Sequence, residues 1–359
     1  MRNESRAETG TVAATGGGTG GSGAVEANID GRIGRMTLRR PERRNALTLE
    51  MVEACSAQLG AWASASEVEV VVVDLTQGGS FCGSDLAALS AGEPARTFWR
   101  AEYSLSLQIA HYPKPLAVIC DGVISRTSPF LHASHRIATE RASFCLSETS
   151  LGFIPDAGGT WLMARAPGEV GTWLALTGVS VMGADAVYAG LADGIIPAGR
   201  LAHVLESLAS PYGGDLGRVL SQAALPETAA PLARLQPEID RAFRHSSAEA
   251  IAAALSGSST SWAGSAAQGL AAASPAAVKL TLGLLRSARA SRSLPACLSA
   301  EHRIACRLLG LTQVVTSDQT PLGSRPWGTA RLEDIDTAHL DRYRAPLLPD
   351  EELVLSPRA

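Results

Sequence analysis

The stretch Ser147-Glu148-Thr149-Ser150-Leu151-Gly152-Phe153-Ile154-Pro155-Asp156-Ala157-Gly158-Gly159-Thr160 lies near the middle of the chain and carries two acids, Glu148 and Asp156. The segment between them is apolar and interrupted by Gly and Pro, so it is too irregular for one helix face and too hydrophobic for an ordinary surface loop. Acids held partly out of water often have shifted pKa values, and two such acids can divide acid and base roles. A candidate active site and a structural turn with one solvated and one helix-capping acid explain these residues equally well.

Strand and helix patterns alternate on both sides of this stretch. Arg32 to Leu38 alternates polar and apolar residues as a half-buried strand does, and Val68 to Leu75 is a β-branched run typical of a strand covered on both faces. Between them, Thr48 is a plausible N-cap for a helix. The alternation predicts an α/β core over residues 28–200. Residues 201–359 are rich in Ala and Leu with almost no strand signal, which predicts a mainly helical C-terminal region.

The composition is that of a globular protein. Of 359 residues, 46% are hydrophobic and 18% are charged, and the net charge of −4 argues against a disordered polyelectrolyte or a nucleic-acid-coating protein. The longest apolar runs are strand-length, so no membrane span is predicted. Residues 1–27 are rich in Gly, Thr and Ala without the apolar segment of a secretion signal, which predicts a flexible tail. We therefore expect a cytoplasmic protein that binds neither nucleic acid nor membrane.

The cysteines and histidines do not form a recognisable metal-binding motif. The six cysteines show no Cys-x-x-Cys spacing, and the seven histidines show no H-E-x-x-H pattern. We interpret the cysteines as buried thiols in a reducing compartment and expect no metal site.

A third acid lies in a predicted helix. From Ala95 to His111 the pattern is helical, and Glu102 shares one face with apolar residues, namely Phe98, Leu105 and Ile109. Glu102 either reaches water at the edge of this stripe or faces a site.

Two further segments could contact an anionic ligand. Ser128-Pro129 has the form of an N-cap followed by Pro at the first helical position, and it predicts a helix whose N-terminus could face an oxyanion. His132 and His135, just inside, are more consistent with packing or surface positions than with catalysis. The arginines of Arg39 to Arg44 either contact phosphates or form a solvated rim.

Several motifs occur in the order found in one enzyme family. The main ones are Arg-Pro-x-x-x-Asn-Ala-Leu-Thr from Arg40 to Thr48, Phe81-Cys82-Gly83-Ser84-Asp85, and Glu148 to Gly159. Further marks are Arg100–Tyr103, Arg136–Glu140, Leu174–Gly178, Glu238–Phe243 and Ser274–Lys279. Together they resemble the crotonase (enoyl-CoA hydratase/isomerase) superfamily, and within it the 3-hydroxyisobutyryl-CoA hydrolase group, from about residue 28 to the end of the chain.

The resemblance implies a crotonase-like spiral of ββα repeats that binds an acyl-CoA or carrier-bound thioester. Coenzyme A would be part of the substrate, with no separate cofactor, and a homo-oligomer is compatible with the family. Glu148 would attack the thioester carbonyl or activate water, Asp156 would assist proton transfer, and Glu102 would position a polar group of the substrate. Thioester hydrolysis also needs two N–H donors for the developing oxyanion.

The chain departs from the family pattern at these donors. One donor maps to Ser84, in a loop that is one residue short. The other should come from a Gly-Gly-Gly turn, but the turn Val123 to Pro129 is about two residues shorter and contains no glycine, whose backbone can approach a ligand closely. We expect Ser125 and Arg126, in this turn, to contact the substrate; Arg126 either supplies a positive charge or occupies the pocket.

Three functions are compatible with these features. The first is an acyl-CoA thioester hydrolase with a remodelled oxyanion hole. The second is a crotonase-fold hydratase, isomerase or carrier-bound-thioester enzyme of a specialised pathway. The third is a catalytically silent relative that binds an acyl-CoA or a partner protein.

Overall fold

Two β-sheets and a set of helices build the described part of the chain, which in this computed structural model comprises residues 23–86, 88–89, 93–212, 214–226, 228–311 and 331–355. The strands are β1 (Val25–Asp30), β2 (Ile33–Leu38), β3 (Val70–Asp74), β4 (Ser80–Phe81), β5 (Leu116–Cys120), β6 (Val123–Ile124), β7 (His135–Ala138), β8 (Ser143–Cys145), β9 (Ser180–Met182) and β10 (Gly194–Ile195). The helices are α1 (Leu49–Ser64), α2 (Glu93–Ala110), α3 (Gly159–Met163), α4 (Val170–Thr177), α5 (Gly183–Tyr188), α6 (Leu201–Ala209), α7 (Leu216–Ala223), α8 (Pro231–Phe243), α9 (Ala248–Ser256), α10 (Ser261–Ala272), α11 (Pro275–Ala290), α12 (Leu294–Leu311) and α13 (Thr337–Arg344).

The order of the strands confirms the predicted α/β class and the spiral. The large sheet has the order β1-β2-β3-β5-β7-β10, with β1 and β2 antiparallel and the others parallel. The small sheet has the order β4-β6-β8-β9. Each successive pair, β3 with β4, β5 with β6 and β7 with β8, therefore gives one strand to each sheet. Because each repeat adds one strand beside the previous strand in both sheets, the ends of the short strands β4, β6 and β8 lie close together.

The central strands are buried on both faces, as the β-branched run predicted. Val71 and Val73 pack into the main core with α1, whereas Val70 and Val72 point to the opposite face and pack against α6 and α7. This division follows from the two-residue period of a strand. The apolar stripe of α1 is anchored at its start by Thr48, whose hydroxyl accepts a hydrogen bond from the Met51 N–H, as predicted.

The C-terminal region packs onto the core. Within the described residues every element named after position 201 is a helix, which agrees with the predicted helical character. Helix α12 contacts α2 and α3, and α11 contacts α3 and α4. The acid-bearing stretch is consequently enclosed by helices from the far end of the chain.

Two predicted boundaries need correction. Strand β1 begins at Val25 and pairs with β2, so the predicted tail of residues 1–27 extends too far; residues 1–22 lie outside the described residues. The segment after Ser128 is a 3₁₀ helix of four residues, Pro129–His132, rather than a full helix, because the chain must enter β7 at His135. In the described residues, no helix combines the length and apolarity needed to cross a membrane.

Candidate active site

Ser84 lies in a loop that is fixed against the start of α1. The Leu47 N–H donates to the Gly83 carbonyl and the Asp85 N–H donates to the Leu47 carbonyl, both at 2.9 Å. Arg40 and Arg43 then pair with the Asp85 carboxylate at 2.7 and 3.4 Å. These ion pairs favour a structural role for part of the basic segment. Ser84 itself is buried, and its backbone N–H has no acceptor among the described residues.

Thr127 connects the two acids of the central stretch. The carboxylate Oε1 of Glu148 accepts hydrogen bonds from the Thr127 N–H at 2.6 Å and from its hydroxyl at 2.8 Å. The same hydroxyl accepts from the Asp156 N–H at 3.2 Å and lies 3.4 Å from Asp156 Oδ1. Because a hydroxyl has one hydrogen, it can donate to only one of the two acids, and the shorter distance assigns that bond to Glu148. Oε2 of Glu148 has no partner among the described residues, and Oδ2 of Asp156 has none within hydrogen-bond distance, although the Trp99 indole N–H acts on Asp156 and opposes the rise in its pKa on burial.

The turn between β6 and the 3₁₀ helix brings Ser125 and Arg126 beside these acids. The Ser125 N–H donates to the Phe81 carbonyl at 2.9 Å, and the Ser125 carbonyl accepts from the Ser147 hydroxyl at 2.7 Å. These backbone groups of Ser125 are therefore used within the protein. Arg126 is 4% exposed, and its guanidinium donates to the Ser84 carbonyl at 2.9 Å. The contact of both residues with a substrate stays a prediction.

Glu102 faces the site and not solvent. It is 1% exposed, and the Ser84 hydroxyl donates to its two carboxylate oxygens at 2.9 and 3.1 Å. Helix α2 also supplies Trp99, whose ring stacks on Phe153 with a centroid distance of 5.7 Å. This aromatic layer contributes to keeping water away from the acids.

Burial dominates the electrostatics of the site. It raises the pKa of Glu102 well above the usual range, helped by the nearby Asp156, and it raises the pKa of Glu148. The pKa of Asp156 rises to about 6 through burial and the Glu148 charge, although the Arg126 cation opposes this shift. The Arg126 guanidinium therefore limits the cost of keeping several buried carboxyl groups together.

A fourth buried acid, Glu301 of α12, was not among the predicted site residues. Its Oε2 accepts from the Gly158 N–H at 2.7 Å, and its Oε1 accepts from the Thr160 N–H at 3.0 Å and from the Thr160 hydroxyl. Burial raises its pKa to about 8. Glu301 follows Leu294 and Leu298 on the apolar stripe of α12, the same signal that identified Glu102.

His132 supports the turn that follows Asp156. Its Nε2–H donates to the Ala157 carbonyl at 2.8 Å, and burial lowers its pKa to about 4, so the ring is neutral. Gly158 has φ +85°, and a Cβ there would lie 2.3 Å from His132 Nε2. Glycine is required at this position both by its conformation and by the close approach of the ring.

The arrangement is suited to acid–base or nucleophilic chemistry on an uncharged electrophile. Two carboxylates each keep one oxygen unpaired, a free backbone N–H lies nearby, and a single guanidinium balances the charge. Among the described residues no group of three His, Cys, Asp or Glu side chains is placed to hold a metal ion.

The chain resembles known proteins in both sequence and structure. The enoyl-CoA hydratase/isomerase family, by its sequence model, matches residues 33–343. The chain is 30% identical over 336 residues to a mitochondrial 3-hydroxyisobutyryl-CoA hydrolase of Xenopus tropicalis, covering 87% of this chain and 86% of the relative. It is 32% identical over 336 residues to the mitochondrial 3-hydroxyisobutyryl-CoA hydrolase of Danio rerio, covering 87% of each. The crystal structure of a carnitinyl-CoA dehydratase from Mycobacterium thermoresistibile is similar, with a TM-score of 0.84, 32% identity and coverage of 93% of this chain and 99% of that one.

Proposed function

Because the chain belongs to the enoyl-CoA hydratase/isomerase family, we propose that it is a hydrolase of short 3-hydroxyacyl-CoA thioesters. The hydrolase names of the relatives from Xenopus tropicalis and Danio rerio support this choice within the family. The acyl group would enter a site bordered by Glu102, Glu148 and Asp156, which are all buried.

The proposal depends mainly on how the Glu148 and Asp156 carboxylates are hydrogen-bonded, because the two oxygens of each carboxylate have different surroundings. Thr127 binds Oε1 of Glu148 and lies beside Oδ1 of Asp156, which fixes both groups. Oε2 of Glu148 and Oδ2 of Asp156 are left buried without a partner in the described part of the chain. Buried polar atoms without partners are rare in folded proteins, so two of them on acids that share the Thr127 hydroxyl favour a bound substrate or water.

The proposed reaction uses Glu148 in its ionised form. Its free oxygen either adds to the thioester carbonyl carbon or takes a proton from a water molecule that does so. The carbonyl π electrons move to oxygen, and their return breaks the C–S bond and releases coenzyme A as the thiolate. Where water is the nucleophile, this step gives the 3-hydroxy acid directly; where Glu148 is the nucleophile, it gives a mixed anhydride, which water then cleaves to release the acid and return the Glu148 carboxylate. Asp156, with a pKa of about 6, is poised to exchange protons near neutral pH. Glu102, whose pKa is raised by burial, would bind the substrate hydroxyl.

Hydration or dehydration is the second candidate. The structural similarity to a carnitinyl-CoA dehydratase supports it, since two carboxylates on one side of a double bond can add and remove a proton and water. The two candidates differ in their products: hydrolysis releases a thiol, whereas hydration adds the mass of water to an intact thioester.

A substrate panel separates the candidates. The purified protein is incubated with short 3-hydroxyacyl-CoA and enoyl-CoA thioesters, and free thiol and product mass are followed together. We expect thiol release from a 3-hydroxyacyl-CoA, lost in Glu148→Gln and retained in the matched control Glu53→Gln, whose carboxylate lies exposed on α1. A gain of water without thiol would establish the hydratase instead. Binding of coenzyme A thioesters without any turnover would establish a silent relative.

A further inference from the structure

The Arg126 guanidinium is buried with part of its hydrogen-bonding capacity unused. Its Nη1 donates to the Ser84 carbonyl, but its Nε and Nη2 have no hydrogen-bond partner among the described residues. Nη2 lies 3.9 Å from Asp156 Oδ1, too far for a hydrogen bond. A buried donor without an acceptor is costly, and more so when it is charged. We therefore expect a bound ligand to supply the hydrogen-bond acceptor for these N–H groups.

The Ser84 loop is shaped around this side chain. Gly83 has φ +72°, and a Cβ there would lie 3.0 Å from Arg126 Cβ and 3.4 Å from its Cζ. Glycine thus provides both the left-handed backbone and the space that the arginine side chain occupies. The Arg126 side chain therefore lies in the space that a side chain at position 83 would take.

Of the backbone N–H groups of Ser84, Ser125 and Thr127, which lie around Arg126, only one is available to bind a ligand among the described residues. The Ser125 N–H is used by the Phe81 carbonyl, and the Thr127 N–H is used by Glu148. The Ser84 N–H is free within the described residues. The guanidinium is bound to the carbonyl of the same residue whose N–H is free, so a thioester oxygen that accepts from the Ser84 N–H would have Arg126 as a neighbour.

We propose that Arg126 is the second oxyanion donor, through the unpaired N–H groups of its side chain, and that it works together with the Ser84 N–H. The inference rests on the proposed function, because it takes the thioester carbonyl oxygen as the ligand. As the nucleophile adds to the carbonyl carbon, the π pair becomes localised on this oxygen, between the guanidinium and the Ser84 amide. When the pair returns, the C–S bond breaks and the thiolate leaves. A charged side chain thereby replaces a backbone amide of a glycine-rich turn.

The test measures carbonyl polarisation separately from turnover. An aryl-conjugated enoyl-CoA, which absorbs at longer wavelength when its carbonyl oxygen is polarised, is bound to the wild type, to Arg126→Met and to Arg126→Lys. We expect the red shift to be largely lost in Arg126→Met while the ligand still binds, and partly kept in Arg126→Lys. In hydrolysis, kcat of Arg126→Met should fall about 10²–10³-fold with KM changed by much less. Added guanidinium ion should restore part of the activity of Arg126→Ala.

The controls keep folding and function separate. Arg141→Met removes an arginine that pairs with Asp121 outside this site and should change neither the spectrum nor kcat. An equal red shift in wild type and Arg126→Met would overturn the inference and would show that backbone groups alone polarise the carbonyl. Loss of binding in Arg126→Met without loss of polarisation in the bound fraction would also overturn it. If the wild type polarises the ligand, Arg126→Met does not, and neither hydrolyses a thioester, the proposed function is contradicted while Arg126 is kept as the donor.

Discussion

The backbone N–H of Gly158 donates a 2.7 Å hydrogen bond to Glu301, which lies 143 positions further along the chain. The Thr160 N–H binds the same carboxylate at 3.0 Å. The turn that carries Asp156 is therefore held from the C-terminal helices and not only by its own sequence. The helical region and the core should unfold together, because each completes the hydrogen bonds of the other.

Glu301 should make folding stability depend on pH. The carboxyl group has an ordinary pKa of 4.5, raised by burial to about 8 in the folded state. Between these values the folded protein holds a proton that the unfolded chain releases, so the free energy of unfolding falls as pH rises through this window. Glu301→Gln removes this titration. We expect the wild type to lose stability between pH 5 and pH 8, and the variant to lose less, by an amount on the order of a few kcal/mol.

Urea denaturation of both proteins at pH 5 and pH 8 measures this difference. The comparison is made between the two proteins, since Glu102 and Glu148 also have raised pKa values and contribute to the total dependence. At pH 5 both side chains are uncharged, but the glutamine NH2 cannot accept the N–H of Gly158 or Thr160, so the variant should be less stable there by a fixed amount, and the change in stability with pH is what is compared. Parallel pH profiles would show that Glu301 does not take up a proton on folding.

The sequence identified the acids that lie close together or on a regular pattern. Glu148 and Asp156 share one short stretch, and Glu102 interrupts an apolar helical stripe, so local sequence patterns were sufficient to mark these three acids as candidate site residues. Glu301 gave the same stripe signal on α12, but its partners Gly158 and Thr160 are brought to it only by the packing of α12 on α3. Such pairing is set by the tertiary fold and has no spacing that a single sequence reveals.

The turn between Val123 and Pro129 could be predicted from the sequence only in part. The sequence shows that this turn lacks glycine, but it does not show which backbone and side-chain groups of the turn form hydrogen bonds. Thr127, which was not predicted to take part, bridges Glu148 and Asp156, whereas the Ser125 backbone is consumed by Phe81 and Ser147. The direction of a side chain in an irregular turn depends on backbone angles that composition does not specify.

Glu148 and Asp156 should behave as one functional unit. Glu148→Gln and Asp156→Asn each keep the size of the side chain and remove its proton-transfer capacity, so each should lower kcat about 10²–10⁴-fold. Because both groups serve the same step through a shared Thr127, the double variant should be little slower than the slower single variant. Single-turnover thiol release measures all three. Multiplicative losses in the double variant would show that the two acids act in separate steps.

The Thr127 hydroxyl should matter more than its methyl group. Thr127→Val keeps the branched shape and the N–H to Glu148 but removes the hydroxyl, which leaves the Asp156 N–H without its acceptor. A carboxylate displaced by about 1 Å can cost on the order of 10²-fold in rate, so we expect a loss of roughly 10–100-fold in kcat. Thr127→Ser keeps the hydroxyl and should stay within a few-fold of the wild type. Equal kcat values for the serine and valine variants would exclude the bridging role.

Gly159 should be intolerant of any side chain because of Thr127. A Cβ at Gly159 would lie 2.5 Å from Thr127 Cγ2 and 2.8 Å from its hydroxyl oxygen, and the backbone conformation here is not left-handed. The expected effect of Gly159→Ala is therefore steric: about 1–3 kcal/mol of lost stability and a displaced Thr127 with lower kcat. Urea denaturation and thiol release measure the two effects.

A matched glycine and a second substitution make the Gly159 prediction specific. Gly264 lies exposed on α10, and a Cβ added there would have no atom of the described residues within 4 Å, so Gly264→Ala should be neutral or stabilise the helix by up to about 1 kcal/mol. Thr127→Ser removes the methyl group nearest to the new Cβ, so adding it to Gly159→Ala should recover part of both losses. Contacting residues show such coupling, whereas independent sites give additive changes. Additive losses in the double variant would mean that Gly159 is required for some reason other than its contact with Thr127.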